Sequence, residues 1–110
     1  MSSSIETDFQ FSIKEGRLDD FKAFVTTMIE VTKLREPDTL VYEWYINEDG
    51  TECHLLEKFK DSEAFLTHLG NVGHMSDTLF SLADMTRAKI YGNPSDELKQ
   101  SLDPLGVEYF

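Results

Sequence analysis

The first part of the chain alternates hydrophobic and polar residues and then changes to a helical spacing. Between residues 8 and 14, Phe9, Phe11 and Ile13 alternate with polar residues, which predicts a strand. Hydrophobic residues then recur every three or four positions, which predicts a helix with an apolar stripe of Leu18, Phe21, Phe24, Val25, Met28 and Val31 or Thr32. Pro37 ends this helix, because proline disfavours helical angles at the preceding residue.

Two strand-like segments on either side of an Asp-Gly pair predict a β-hairpin. Residues 39–47 are rich in β-branched and aromatic residues, and residues 51–60 follow the turn sequence Glu48-Asp49-Gly50. Asp-Gly between two such segments favours a tight turn, because both residues tolerate the positive φ angles that it requires. We therefore predict an antiparallel hairpin in this part of the chain.

The segment after the hairpin predicts an interrupted helix. Asp61 offers a side-chain oxygen to cap its start, and Gly70 and Gly73 interrupt it. A second helical piece is expected from about His74 to Ala83. The residues expected to face inward are Ala64, Phe65 and Leu69 in the first piece and Met75, Leu79, Phe80 and Leu82 in the second.

The end of the chain predicts a strand, a short helix and an edge strand. Residues 85–91 are strand-like, Asn93-Pro94 starts a helix that ends at Leu102, and residues 106–110 form a last strand. The predicted order is therefore strand, helix, strand, strand, helix, strand, followed by a helix and a strand. This order is typical of an α+β fold, a ferredoxin-like antiparallel sheet with helices on one face.

The hairpin turn determines which side chains share a face of the sheet. A two-residue loop pairs Tyr42 with Glu57 and Trp44 with Leu55, and a four-residue loop shifts the pairing but keeps the same residues on each face. One face then carries Leu40, Tyr42, Trp44, Ile46, Cys53, Leu55, Glu57 and Phe59, and the other carries Val41, Glu43, Tyr45, His54, Leu56 and Lys58. Both faces hold large apolar groups, although the helices cover only one. We therefore expect a homodimer that packs through the sheet faces; a monomer with scattered exposed aromatic residues is the alternative.

The size and charge of the chain limit the possible functions. It has 110 residues, which suits one domain; we expect residues 1–7 to be a flexible N-terminal tail and residues 8–110 a single domain, with residues 93–110 as a C-terminal helix–strand extension. The formal net charge of −11 disfavours nucleic-acid and membrane binding, and no apolar segment is long enough to span a membrane. The opening residues lack a secretion signal and Cys53 is the single cysteine, so we expect a cytoplasmic protein.

Glu57 and His68 are the main candidates for chemistry. Glu57 lies among aromatic residues on the face assigned to the helices, where a carboxylate must find a donor or take up a proton. It is either a tuned acid or base, or a structural residue that pairs with Arg87, Lys89 or a helix terminus. His68, on the helix after Asp61, is a possible proton acceptor near neutral pH or a structural helix residue.

Other reactive residue types lack the spacing that catalysis or metal binding requires. The three histidines, His54, His68 and His74, have no metal-ligand spacing, so we expect no metal site. Cys53 lacks an adjacent base, which favours a small core residue over a nucleophile.

Residues 36–69 resemble the antibiotic biosynthesis monooxygenase family. The resemblance rests on a strand that follows Pro37, the aromatic hairpin with its Asp-Gly turn, and the series Glu57-x-Phe59-x-Asp61, Ala64 and His68. It implies a dimeric α+β barrel of two ferredoxin-like sheets and a pocket between sheet and helices near Glu57, Phe59 and His68. Characterised members include cofactor-free oxygenases of hydroquinones and polyketide phenols, and relatives that degrade haem.

Some positions depart from the family pattern. Phe59 stands where family sequences often carry tyrosine or tryptophan, and the first strand lacks the asparagine typical of the haem-degrading branch. The negative charge also suits haem propionates poorly, so we expect no cofactor.

We therefore hypothesise a cofactor-independent monooxygenase that acts on a small electron-rich phenol or hydroquinone. His68 would be the base, Glu57 would orient or assist it, and the substrate would contact Tyr42, Trp44, Leu55, Phe59 and Phe65. The alternative is a non-catalytic dimeric module that binds a small molecule or has a stress or regulatory role.

Overall fold

The computed structural model describes residues 3–110, which form a five-stranded sheet with helices on one face. The elements are β1 Ile5–Ile13, α1 Leu18–Arg35, β2 Thr39–Ile46, β3 Glu52–Phe59, α2 Ser62–Val72, α3 Ser76–Leu82, β4 Ala83–Tyr91, α4 Asp96–Leu102 and β5 Glu108–Tyr109. The strand order is β2-β3-β1-β4-β5, and only the β4–β5 pair is parallel. The predicted α+β, ferredoxin-like class is confirmed.

The sheet begins earlier than the sequence pattern predicted. Ile5 pairs with Phe59, and Thr7 lies between Glu57 and Ile90 of the neighbouring strands. Both Ile5 and Thr7 are buried, because they continue the inward alternation of Phe9 and Phe11. The prediction of a flexible tail over residues 1–7 is therefore wrong for residues 5–7; residues 1 and 2 lie outside the described part of the chain.

The hairpin has the predicted register with one irregularity. Tyr42 pairs with Glu57, Trp44 with Leu55 and Ile46 with Cys53. A β-bulge at Leu40 shifts the pairing, so that Thr39, rather than Leu40, lies opposite Phe59. Leu40 is consequently exposed, and its predicted place on the covered face is wrong.

Three predicted helix boundaries also need correction. Helix α2 continues through Gly70 to Val72, because Gly70 adopts helical geometry there, and a 3₁₀ turn from Gly73 to Met75 separates it from α3. The last helix is capped by the Ser95 hydroxyl, which accepts a hydrogen bond from the Leu98 N–H, rather than by Asn93.

The core lies between the helices and one face of the sheet. Alternate residues of β1 and β3 point into it, and α1 contributes its apolar stripe. The largest fully buried side chains include Phe11, Phe21, Phe59 and Phe65. The opposite face is open, and both Tyr45 and Leu56 are exposed on it.

The C-terminal residues pair with the sheet of their own chain. The backbone N–H of Phe110 donates to the Ile90 carbonyl, and β5 lies beside β4. Within residues 3–110, no helix combines the length and apolar character that crossing a bilayer requires.

Candidate functional site

His68 is held under the sheet by the way in which α2 begins. The Asp61 carboxylate accepts a hydrogen bond from the Ala64 N–H at 2.9 Å and so caps the first turn. Phe65 and His68 lie three residues apart, so both point from the same side of the helix toward the sheet. His68 is only 4% exposed. Its imidazole therefore depends on protein partners rather than on water.

Two glutamates bind the two ring nitrogens of His68. Its Nδ1 lies 2.8 Å from Glu36 Oε1, and its Nε2 lies 3.3 Å from Glu57 Oε2. Glu57 comes from the inward side of β3, whereas Glu36 is the residue that follows the last turn of α1. Both glutamate side chains are buried. The imidazole thus bridges two carboxylates that are far apart in the chain.

Neutral side chains also donate hydrogen bonds to the two carboxylates. The Thr7 hydroxyl donates to Glu57 Oε1 at 2.8 Å. The Thr39 hydroxyl donates to Glu36 Oε1 at 2.9 Å, and the Asn71 amide donates to Glu36 Oε2 at 3.2 Å. Every oxygen of both carboxylates therefore accepts at least one hydrogen bond, as buried charged groups require.

The two carboxylates keep a proton on His68. Burial by itself lowers the pKa of His68, but the hydrogen bond and negative charge of Glu57 and the charge of Glu36 outweigh it, so the pKa is raised. Glu36 also lies at the negative end of the α1 dipole, which increases the need for a nearby positive charge. The surroundings of His68 therefore favour its protonated, imidazolium form.

A cavity of about 100 Å³ lies beside this cluster, between the helices and the sheet. Glu57 and His68 provide its ionisable groups. Its other walls are mainly apolar and include Phe9, Phe11, Phe24, Met28, Tyr42, Trp44, Leu55, Phe65, Leu69, Val72, Met75, Leu79, Phe80, Met85 and Leu105. The Glu57–His68 pair is thus placed beside a mainly apolar surface.

Two polar groups of residues that line the cavity are buried. They are the Tyr42 hydroxyl and Trp44 Nε1, and the Thr32 hydroxyl behind them is buried as well. Burial and then the charge of Glu57 raise the pKa of Tyr42, so the phenol keeps its proton. The Trp44 and Thr32 side chains also interact with the Tyr42 hydroxyl and lower its pKa, so these three polar groups form one buried cluster beside the cavity.

The structure brings most of the predicted site residues together. Tyr42, Trp44, Leu55, Glu57, Phe65 and His68 all border the cavity. Phe59 lies one layer behind the wall, where its ring stacks on Phe65 at 4.2 Å and lies 5.3 Å from the His68 ring. Phe59 is therefore not among the residues that line the cavity, and its ring packs against the rings of α2.

Glu57 does not have the partners that the sequence predicted for a purely structural residue. Glu57 pairs with His68 and Thr7 instead of with Arg87, Lys89 or a helix terminus. Glu36 was not recognised from the sequence, because its contact with His68 spans 32 residues and carries no local pattern. Thr7 was recognisable, since it continues the alternation of Phe9, Phe11 and Ile13.

The other residues considered for chemistry lie elsewhere. Cys53 is fully buried, and burial raises the pKa of its thiol to about 12, so the prediction of a core residue is confirmed. His54 contacts Glu52 on the open face of the sheet, and His74 is exposed in the 3₁₀ turn. In the part of the chain that the structure describes, no group of three or more His, Cys, Asp or Glu side chains is arranged to hold a metal ion.

Comparisons with known proteins place the cavity in a familiar fold. The sequence model of the family "Antibiotic biosynthesis monooxygenase" matches residues 5–79. MupZ from Pseudomonas fluorescens, which has a crystal structure, shares 30% sequence identity with this chain. The two structures align with a TM-score of 0.87, over 99% of this chain and 89% of that chain. No curated protein matches the chain.

Two more distant structures share the fold. Rv0793 from Mycobacterium tuberculosis is 20% identical with a TM-score of 0.69, over 86% of this chain and 98% of that chain. A mutant of SnoaB, a cofactor-independent oxygenase from Streptomyces nogalater, is 14% identical with a TM-score of 0.69, over 86% of this chain and 96% of that chain.

Proposed function

Because the chain belongs to the antibiotic biosynthesis monooxygenase family, we propose that it is a cofactor-independent monooxygenase that oxidises a small electron-rich phenol or hydroquinone with O₂. The main support is the Glu57–His68 pair, which borders a mainly apolar cavity whose wall includes Tyr42 and Trp44. The shared fold of SnoaB, a cofactor-independent oxygenase, adds support for the reaction class.

The reaction needs a base and a dry cavity rather than a redox group on the protein. Loss of the hydroxyl proton makes the substrate an anion, which passes an electron to O₂; the two radicals then combine at a ring carbon. For a simple hydroquinone, substrate and O₂ give a hydroxyquinone and one water, so the substrate supplies all four electrons. The walls of the cavity, which include Tyr42 and Trp44, would hold the ring.

The protonation state of His68 determines when the pair acts as a base. The raised pKa means that the proton between His68 Nε2 and Glu57 must leave before the pair can accept one from the substrate. We therefore expect the rate of oxygen uptake to increase with pH through the pKa of His68 and then to reach a plateau.

Oxygen uptake tests the proposal directly. A panel of hydroquinones and polycyclic phenols is offered to the metal-chelated wild type and to Glu57→Gln, which keeps the size of the side chain but removes its charge. We expect at least one substrate to support uptake in the wild type and a loss of about 10²–10⁴-fold in Glu57→Gln, the usual contribution of a general base.

The matched control is Glu52→Gln, a change of the same type on the open face of the sheet, which should leave uptake unchanged. Equal uptake in wild type and Glu57→Gln would contradict the role of the pair. Absence of uptake with every member of the panel would contradict the proposed reaction.

We also propose that the protein is a homodimer through the open sheet face. Tyr45 and Leu56 are 53% and 39% exposed there, although both belong to strands of the sheet. Covering such side chains with a second sheet stabilises an assembly by burying apolar surface. Sedimentation should therefore find a dimer that dissociates in Leu56→Glu but persists in Leu105→Glu, a matched change away from this face. A wild-type monomer at all concentrations would contradict the proposal.

A second candidate is a non-catalytic dimeric module that binds a small hydrophobic molecule. The apolar wall that includes Phe65, Met75 and Phe80 favours this function, since it gives a ligand few polar contacts. Such a module would be stabilised by phenols against heat without consuming O₂. In either case Cys53 is unpaired and buried, which suits the reducing cytoplasm that we propose as the location.

A further inference from the structure

A second opening borders Glu36, one of the two glutamates that bind His68. A cleft of about 190 Å³ lies between the end of α1 and the start of β2. Its lining includes Thr32, Lys33, Glu36 and Thr39, so it is more polar than the cavity. Glu57 borders the cavity and Glu36 borders the cleft. The two carboxylates that bind His68 therefore face two different spaces.

The hydrogen bonds form a continuous chain between these spaces. From the cavity it runs from Glu57 Oε2 to His68 Nε2 at 3.3 Å and from His68 Nδ1 to Glu36 Oε1 at 2.8 Å. It continues from Glu36 Oε1 to the Thr39 hydroxyl at 2.9 Å, in the wall of the cleft. An imidazole can accept a proton on one nitrogen and release one from the other, so His68 can pass protons along this chain.

Tyr42 separates the two spaces. It borders both the cavity and the cleft, and its hydroxyl is buried. Thr32, whose hydroxyl is also buried, borders the cleft. Polar groups that line an opening are suitable partners for water, and the cleft offers Lys33, Glu36 and Thr39. The cleft therefore brings polar groups suited to water next to Glu36.

We infer that Glu36 is a positioning residue that gives His68 a proton outlet through the cleft. The substrate proton enters at Glu57 and His68 Nε2, a proton leaves from His68 Nδ1 through Glu36 to water, and no electron moves along this path. The origin of that proton in a phenol rests on the proposed function. The path itself does not, because ring protons exchange with water in the absence of substrate.

Blocking each opening in turn with a larger side chain tests whether protons leave His68 through the cleft. Leu40 borders the cleft and Leu105 borders the cavity; both are exposed, so each accepts a tryptophan without disturbing the core. Exchange of the His68 ring protons with solvent is measured by NMR on protein with ¹⁵N-labelled histidine. Amide spectra confirm that each variant is folded.

We expect Leu40→Trp to slow this exchange severalfold and Leu105→Trp to leave it unchanged. Slowing by Leu105→Trp alone would overturn the outlet, because protons would then leave through the cavity. Equal exchange in all three proteins, including exchange too fast to resolve, would also overturn it, because blocking the cleft would have no effect.

The measurement separates this inference from the proposed function. If the wild type consumes no O₂ with any phenol but Leu40→Trp slows the exchange, the function fails and the outlet remains. If uptake occurs but Leu40→Trp leaves the exchange unchanged, the outlet fails and the function remains.

Discussion

At each face of the sheet a histidine contacts a glutamate of β3, His54 from the sheet itself and His68 from helix α2, and the two pairs differ in burial and in their other partners. On the open face, His54 Nε2 lies 3.1 Å from Glu52 Oε2, and their side chains are 40% and 52% exposed. On the covered face, His68 lies between Glu57 and Glu36 with almost no exposure. Water screens the first pair, which is expected to contribute about 0.2–1 kcal/mol at most. Residue types alone therefore do not identify a site; their surroundings do.

Removal of each histidine in turn gives the largest expected difference in stability between changes at the two faces. His68→Ala leaves two buried carboxylates without their shared cation, so we expect the free energy of unfolding to fall by about 3–5 kcal/mol. His54→Ala removes a screened contact and should lower the free energy of unfolding by no more than about 1 kcal/mol. Urea unfolding measures both values. Similar losses in the two variants would mean that burial does not separate the pairs.

Substitution of two neighbouring leucines of β3 gives the next largest difference in stability. Leu55 points into the core and Leu56 points to the open face. Leu55→Ala should destabilise the protein by about 3 kcal/mol, because it removes buried methyl groups and enlarges the cavity. Leu56→Ala should cost about 0.5 kcal/mol in dilute protein. A cost of Leu56→Ala that increases with protein concentration would support the proposed dimer, and equal costs when dilute would contradict the assignment of the two faces.

The smallest difference concerns the pH dependence of stability. The pKa of His68 is raised in the folded protein, so its stabilising contribution is complete below the unfolded pKa of about 6.5 and is lost as the pH rises through the folded value. Each unit of difference between the two pKa values corresponds to about 1.4 kcal/mol. Unfolding free energies measured from pH 6 upward should therefore decrease in the wild type and in His54→Gln, but less steeply in His68→Gln. Parallel curves for all three proteins would refute this origin of the slope.

Local sequence patterns predicted which residues of the sheet border the site. The alternation of inward and outward side chains along a strand depends only on neighbouring residues. The Asp-Gly turn sets the hairpin register, and this places Tyr42, Trp44 and Glu57 on one face. The cap at Asp61 sets the start of α2 and therefore the direction of His68. These relations depend on neighbouring residues, so they could be predicted from the sequence.

The contacts that complete the site could not be predicted in the same way. Glu36 reaches His68 because the end of α1 packs beside α2, and no spacing in the sequence records that packing. Thr39 reaches Glu36 because a bulge moves Leu40 out of the ladder, and a bulge leaves the hydrophobic alternation ambiguous. Tertiary packing therefore supplies one of the two carboxylates and the hydroxyl beside it.

The bulge at Leu40 also affects which changes of chain length β2 tolerates. Thr39 lies opposite Phe59 and Val41 opposite Lys58, so Leu40 is an extra residue between two consecutive pairs. Loss of Leu40 would leave a regular ladder in which every other side chain keeps its face, whereas loss of a residue at position 43 would exchange the inner and outer side chains on one side of the gap. Homologues that are one residue shorter in this strand are therefore best aligned with their gap at Leu40.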